Sequence, residues 1–100
     1  MIDYSLIVGF DWDAGNNRKN VEKHGVSEAE AEQIFFNVPL LTVGDTRHSR
    51  SESRFHALGK TNRERFLHIT FTLRAEGTKI RIISARDMHR KERARYEQET

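Results

Sequence analysis

Apolar and polar residues along this chain of 100 residues follow a helical period at first and a strand period later. In the first half, an apolar stripe at helical spacing predicts a helix over about residues 28–37. The stripe consists of Ala31, Ile34 and Phe35. Ser27 and Glu30 make the S-x-x-E pattern of a capping box, so the sequence marks the start of this helix clearly.

A short apolar run and a more polar helix are predicted before it. Residues 5–10 read SLIVGF, which is typical of a strand. Asp11 or Asp13 can accept the first backbone hydrogen bonds of a helix over about residues 14–24. Gly25 stands where a left-handed residue commonly ends a helix. The first half therefore predicts one strand and two helices.

The second half predicts strands that follow one another closely. They cover about residues 40–43, 53–59, 65–74 and 79–86. Side chains along the third of these alternate between an apolar face and a more polar face. The apolar face takes Leu67, Ile69, Phe71 and Leu73, and the other takes Phe66, His68, Thr70, Thr72 and Arg74. The links KTNRE and AEGT have the length of hairpin loops, which predicts an antiparallel meander.

The last predicted element is a helix over about residues 88–98, with Asp87 as its N-cap. The resulting order is β-α-α-β-β-β-β-α. Helices that are segregated from an antiparallel sheet define the α+β class. We therefore expect an antiparallel sheet of about four to five strands, with two N-terminal helices and one C-terminal helix.

Composition limits the kind of protein that this chain can be. Its length predicts one domain over residues 1–100. The absence of cysteine excludes disulfides and thiolate metal ligands. No apolar run approaches the ~18 residues of a membrane span, and the first residues lack the basic start of a signal peptide. We expect a cytoplasmic protein without membrane association.

Charge is divided unequally between the two halves of the chain. Residues 1–46 carry three Lys or Arg against eight Asp or Glu, whereas residues 47–100 carry fourteen against seven. The basic residues lie among apolar ones at strand and helix spacing, so they belong to a folded surface. Such a surface favours a polyanion such as nucleic acid, although a divided charge also suits self-association or an acidic protein partner.

A polar segment at residues 45–59 concentrates side chains that can act on RNA. It contains Asp45, Arg47, His48, Arg50, Glu52 and Arg54. RNA cleavage requires a base for the 2′-hydroxyl, an acid for the leaving oxygen and cations for the phosphorane. His or Glu can serve the first two needs and Arg the third. The alternative is a solvated loop whose acidic residues pair with its own arginines.

The five histidines do not have the spacing of a metal site. None of them forms an H-x3-H or H-E-x-x-H pattern that would bring two imidazoles to one face of a helix. His56 and His68 can meet across a hairpin, where a polar cross-strand pair is the simpler interpretation. We expect no metal and no other cofactor.

Several motifs together resemble the BrnT toxins of bacterial type II toxin–antitoxin systems. They are FDWD at 10–13, KHGVS at 23–27, D-x-RH at 45–48, R-x-x-x-LG at 54–59, IRIISAR at 80–86 and R-x-E-x-x-x-Y at 90–96. Their order and spacing cover about residues 6–97. Two departures stand out, because Ala14 occupies a position where the family usually has Pro, and Phe55 one where Trp or Tyr is common.

The resemblance implies a RelE-like fold and a metal-independent endoribonuclease that inhibits translation. It also implies a BrnA-type antitoxin with a ribbon-helix-helix DNA-binding domain. The toxin would then reach operator DNA only through the complex with this antitoxin. The remaining alternative is a non-catalytic binding module that holds a DNA-binding partner and acts as a transcriptional co-repressor.

The motifs and the polar segment together predict the site residues. Arg54, Arg81 and Arg86 are expected to stabilise the scissile phosphate, and His48 or Glu52 to transfer protons. Contacts to RNA are expected from Arg47, Phe55, Arg90 and Tyr96. Tyr96 can instead pack its ring onto the sheet, and Arg86 can instead pair with Glu92.

Overall fold

The computed structural model describes residues 2–45, 47 and 52–100, which form three helices and five strands in the predicted order. A single 3-10 turn at Tyr4–Leu6 precedes them. The strands are β1 (Gly9–Phe10), β2 (Leu41–Asp45), β3 (Arg54–Lys60), β4 (Phe66–Arg74) and β5 (Lys79–Asp87). The helices are α1 (Ala14–His24), α2 (Glu28–Gln33) and α3 (Arg90–Glu99).

The five strands form one sheet in the order β1-β5-β4-β3-β2. Strands β2 to β5 are the predicted antiparallel meander. Strand β1 pairs with β5 in parallel, so the sheet is mixed, not wholly antiparallel. The chain reaches this arrangement because α1 and α2 carry it from one edge of the sheet to the other. The α+β class is confirmed.

One face of the sheet forms the main core with α2. Phe71, Ile69 and Leu67 of β4 are fully buried there, as their alternation predicted. Phe35, just after α2, meets the Phe71 ring edge-on at 5.1 Å. Gly59 allows this close packing, because a Cβ at that position would lie 2.9 Å from the Cβ of Ile34.

Local signals correctly marked both ends of α1 and the start of α2. The Asp13 carboxylate accepts the Asn16 N–H at the start of α1, and Gly25 ends that helix with a φ of +64°. The capping box of α2 is present, with the Ser27 hydroxyl accepting the Glu30 N–H and Glu30 accepting the Ser27 N–H. Helix α2 is shorter than predicted, because the chain turns away at Ile34.

The predicted N-cap of α3 was wrong. Strand β5 runs through Asp87, so the helix begins later and His89 is its N-cap. Asp87 instead accepts two hydrogen bonds from Arg65, at 2.8 and 3.2 Å. The first turn of α3 is held by Glu92, whose carboxylate accepts the His89 N–H at 2.8 Å.

A β-bulge in β5 determines which face its arginines occupy. Thr70 pairs with Ser84, but the adjacent Phe71 pairs with Ile82, so Ile83 is an extra residue. Arg81 and Arg86 are five residues apart, and a regular strand would point them to opposite faces. The extra residue restores both to the face away from the core.

Candidate functional site

Three cross-strand rows make up the sheet face that points away from α2, which we call the outer face. The first row is Asp45, Arg54, Thr72 and Arg81, the second is Val43, His56, Thr70 and Ser84, and the third is Leu41, Leu58, His68 and Arg86. Each row takes one residue from each of β2, β3, β4 and β5. The outer face therefore gathers charged and hydroxyl side chains from four strands.

Helix α3 covers one end of the outer face. Tyr96 is 3% exposed, its hydroxyl donates to the Pro39 carbonyl at 2.6 Å, and its ring meets Phe66 edge-on. Arg93 lies over the Phe66 ring, 3.9 Å from its centre. Burial raises the pKa of Tyr96, which makes the phenol a weaker acid. These contacts anchor the helix against the sheet.

A groove of about 450 Å³ lies between α3 and the second and third rows. Arg86 and Glu92 form one of its walls, with the Arg86 guanidinium donating to both Glu92 oxygens at 2.8 and 2.9 Å. Burial opposes the charge of Glu92, but the bonds from Arg86 and from the His89 N–H outweigh it and lower its pKa to about 2. The carboxylate thus stays ionised and holds Arg86 in the groove.

Two histidine rings lie side by side on the floor of the groove, with their centres 4.9 Å apart. His56 bonds to the Asp45 carboxylate through Nε2 at 2.8 Å and to the Thr70 hydroxyl through Nδ1 at 3.1 Å. Burial and the nearby Arg86 charge lower the pKa of His68 to about 4. His68 is therefore neutral near pH 7, which is consistent with the polar cross-strand pair expected from the sequence.

The three arginines predicted to stabilise phosphate share the outer face but not one row. Arg54 stands directly opposite Asp45, and Arg81 occupies the same row two strands away. Arg81 is paired with Asp13, the N-cap of α1, at 3.2 Å. Arg86 lies in the third row, inside the groove. A phosphodiester chain crossing the rows can therefore meet these cations in succession.

Of the two residues predicted to transfer protons, Glu52 lies outside the groove and His48 is not among the residues that the structure describes. Glu52 pairs with Arg74 at 3.1 Å and does not line the groove. His48 lies outside the described residues. Arg47 is exposed, and its backbone N–H donates to Asp45 at 3.1 Å. Arg90 is exposed on the first turn of α3.

The structure moves two of the predicted RNA contacts away from the surface of the site. Phe55 follows Arg54 on β3, so it points to the opposite face, where its ring stacks on Phe71 at 5.5 Å. Tyr96 packs onto the sheet through its ring, which was the alternative interpretation of that residue. Neither ring lines the groove, so neither can stack against a base bound there.

Sequence reasoning did not identify the contact between Asp45 and His56. Eleven residues separate them, and the contact exists because they are diagonal neighbours on β2 and β3. Finding it requires the strand register, which the loop between these strands does not reveal. Glu92 was noticed only as a partner for Arg86, and its position beside His68, 3.8 Å away, depends on how α3 docks.

The geometry can be compared with known proteins. The family model described as "Ribonuclease toxin, BrnT, of type II toxin-antitoxin system" matches residues 12–92. The chain belongs to this family. The resemblance inferred from the motifs is confirmed, and an antitoxin partner is implied for a toxin of this kind.

A solved structure has the same fold. It is the 1.1 Å crystal structure of the Brucella abortus ribonuclease toxin BrnT, which matches this BrnT family member with a TM-score of 0.63. The two chains are 20% identical over 83% of this chain and 99% of the other, so the likeness is one of fold. No curated protein matches the sequence.

In residues 2–45, 47 and 52–100, no cluster of three or more His, Cys, Asp or Glu has the arrangement of a metal site. Within the same residues, every helix is too short or too polar to span a bilayer.

Proposed function

We propose that this BrnT family member is a metal-independent endoribonuclease that inhibits translation by cutting RNA on the outer face of its sheet. RNA lies across the three rows, with its scissile phosphate beside the groove. Arg54, Arg81 and Arg86 supply the positive charge that the phosphorane develops. Arginine suits this role because its planar guanidinium can donate two parallel hydrogen bonds to phosphate oxygens.

One observation carries the proposal: a groove of about 450 Å³ on the outer face combines a fixed guanidinium with an imidazole. Arg86 is held there by Glu92, so its orientation needs no rearrangement when substrate arrives. Preorganised cations of this kind stabilise a transition state more than a ground state, because the charge they meet develops only during reaction. Arg47 and Arg90 extend the cationic surface at either side.

Proton transfer by Glu52 is less well supported than charge stabilisation. Its carboxylate is engaged by Arg74, so it would have to leave that pair to reach substrate. His48 remains a prediction. We expect the leaving oxygen to take its proton from water, which enters the open groove freely.

We further propose a BrnA-type antitoxin with a ribbon-helix-helix domain as the neutralising partner. An acidic or amphipathic segment of it would cover the outer face and α3, because the same cations that hold RNA can hold carboxylates. The toxin then contacts operator DNA only through this complex. Cross-links confined to α1 and α2 would contradict this binding mode.

The proposed activity is tested by single-turnover cleavage of a short RNA with a chelator present. Cleavage should persist in the chelator and fall roughly 10²–10³-fold in Arg54→Ala, the loss typical of one deleted charge-stabilising donor. Arg54→Lys should restore only part of the rate, since lysine lacks the planar fork. Arg63→Ala is the matched control, because Arg63 is exposed on the turn between β3 and β4.

The role of Arg86 cannot be tested by a single alanine substitution of the kind used for Arg54. Replacing it with Ala would leave the partly buried Glu92 carboxylate without its main partner, so folding would suffer as well. The double variant Arg86→Ala with Glu92→Ala removes both charges, and its melting temperature reports folding separately from the cleavage rate.

If the parent protein leaves RNA intact, the result favours the alternative function, a non-catalytic binding module.

A further inference from the structure

His56 occupies an unusual position on the outer face. Its side chain is 29% exposed and lines the groove, while the Asp45 side chain behind it is 9% exposed. Both ring nitrogens are engaged, Nε2 with Asp45 at 2.8 Å and Nδ1 with Thr70 at 3.1 Å. A buried carboxylate thus holds one side of an imidazole whose other side faces the groove.

This geometry selects one tautomer of the neutral ring. A carboxylate can only accept, so Nε2 carries the hydrogen that is donated to Asp45. Nδ1 then keeps its lone pair and accepts from the Thr70 hydroxyl. An imidazole oriented in this way by a carboxylate is the arrangement that prepares histidine to accept a proton from a hydroxyl group.

We propose that His56, positioned by Asp45, is the general base that removes the 2′-hydroxyl proton of RNA bound in this groove. The inference rests on the proposed ribonuclease function and deepens it by naming the base. Nδ1 has one lone pair, which the Thr70 hydroxyl occupies in the RNA-free protein, so the substrate 2′-hydroxyl takes this position when the Thr70 hydroxyl turns away.

The step balances without any cofactor. The proton of the 2′-hydroxyl moves to Nδ1 as the 2′-oxygen forms its bond to phosphorus. The bond from phosphorus to the 5′-oxygen breaks, and that oxygen takes a proton from water in the groove. The hydroxide left behind recovers the proton from Nδ1, and the products are a 2′,3′-cyclic phosphate and a 5′-hydroxyl end. Asp45 stabilises the transient imidazolium electrostatically.

The surroundings of His56 favour this role over a purely structural one. The charged or titratable groups that face it from the neighbouring elements are Asp45, Arg54, His68, Arg86, Glu92 and Arg95. His68 does not compete for the proton, since burial and the Arg86 charge lower its pKa to about 4. Arg54 and Arg86 lie in the rows on either side, where they can hold the phosphate beside Nδ1.

The first test replaces the base. His56→Ala should reduce single-turnover cleavage of a short RNA by roughly 10²–10⁴-fold, the usual contribution of a positioned base. It should also flatten the acidic limb of the pH–rate profile, and added imidazole should restore part of the rate. His56→Gln keeps a polar side chain at this position and should be as slow while melting at the parental temperature, which excludes misfolding as the cause of the loss. His89→Ala, at an exposed histidine outside the groove, should cleave at the parental rate.

The second test changes the tautomer without removing the ring. In Asp45→Asn, the oxygen that accepts the Arg47 N–H is expected to stay, which turns the new NH₂ group toward Nε2. The ring must then accept at Nε2 and carry its hydrogen on Nδ1, where it can no longer take a proton. Nitrogen-15 NMR should report this change in the RNA-free protein, together with a fall in rate comparable to that of His56→Ala.

The outcomes separate this inference from the function on which it rests. If Arg54→Ala stops cleavage while His56→Ala and His56→Gln keep the parental rate and pH profile, the base is another group and the inference is overturned alone. An unchanged tautomer in Asp45→Asn would also overturn it. If the parent protein cleaves no RNA, both the proposed function and the inference fail.

Discussion

At the scale of single residues, the role of an arginine in this protein follows from its partners more than from its place in a motif. Arg65 lies just before β4, at the first residue of the strand predicted over residues 65–74, and its side chain bonds to three other parts of the fold. It donates to Asp87, to Glu30 at 3.1 Å and to the carbonyls of His24 and Gly25 at 3.1 and 2.8 Å. It therefore satisfies carbonyls at the end of α1 that would otherwise lack partners.

Arg65→Ala should destabilise the protein by about 2 kcal/mol. The change leaves two carboxylates and two helix-end carbonyls to find water, and the partial exposure of the site limits the loss. Urea unfolding followed by circular dichroism measures the difference. Arg63→Ala, two residues away and exposed, should change the free energy of unfolding by less than about 0.5 kcal/mol. Equal midpoints for the two variants would contradict the role assigned to Arg65.

His68 gives the protein a second residue-scale property, a loss of stability in mild acid. The unfolded chain binds a proton at this residue near the usual pKa of 6.5, whereas the folded protein does so only near 4. The unfolded state therefore holds more protons between these values, so the free energy of unfolding falls as pH drops from about 6.5 to about 4. The pKa of Glu92, lowered to about 2, adds a loss only below its ordinary value of 4.5.

His68→Gln should remove most of this loss. At pH ~4.5 the free energy of unfolding of His68→Gln should exceed that of the parent by at most about 3 kcal/mol, and solvent screening reduces this difference. Urea unfolding at pH ~7 and pH ~4.5 measures the change for each protein. His89→Gln is the control, because His89 is exposed and should leave the pH dependence as it is. A parental pH dependence in His68→Gln would show that other groups cause the loss.

At the scale of elements, the fold was predictable wherever a short stretch of sequence decides the structure. The Asp13 cap, Gly25 and the capping box at Ser27 are local, and each was identified correctly. The parallel pairing of β1, the bulge at Ile83 and the docking of α3 depend on distant contacts. The sequence therefore identified the arginines that the outer face brings together, but it did not predict their arrangement.

Strand β4 offers a direct test of the two-faced sheet. Phe71→Ala should destabilise the protein by about 3–5 kcal/mol, because the ring is fully buried between Phe35 and Phe55. Thermal and urea unfolding measure the loss, and any loss of toxicity should accompany it. Phe36→Ala removes an equal ring that is 77% exposed and should have little effect. Similar melting of the two variants would refute the assignment of the buried face.

At the scale of the whole molecule, many of the charged side chains form ion pairs within the protein. Among the described residues, the basic side chains with an acidic partner include Lys60, Arg65, Arg74, Arg81, Arg86, Arg93 and Arg95. Two of these partners, Asp13 and Glu30, come from the acidic first half. The basic half would therefore offer the proposed RNA substrate fewer cations that are not already paired with a carboxylate than its fourteen Lys and Arg suggest.

RNA binding should nevertheless weaken steeply with salt. About four to six phosphate contacts would release enough counterions to reduce affinity by roughly two to three decades between about 50 and 200 mM salt. Fluorescence anisotropy with a short labelled RNA and the Arg54→Lys variant, which cleaves more slowly but keeps the positive charge, gives the slope of log K against log salt. Arg90→Ala removes one exposed cation on the first turn of α3 and should make the slope shallower by about one unit or less, as the loss of one phosphate contact requires. Arg63→Ala should leave it unchanged. A flat salt dependence would mean that the outer face does not hold RNA by its charge.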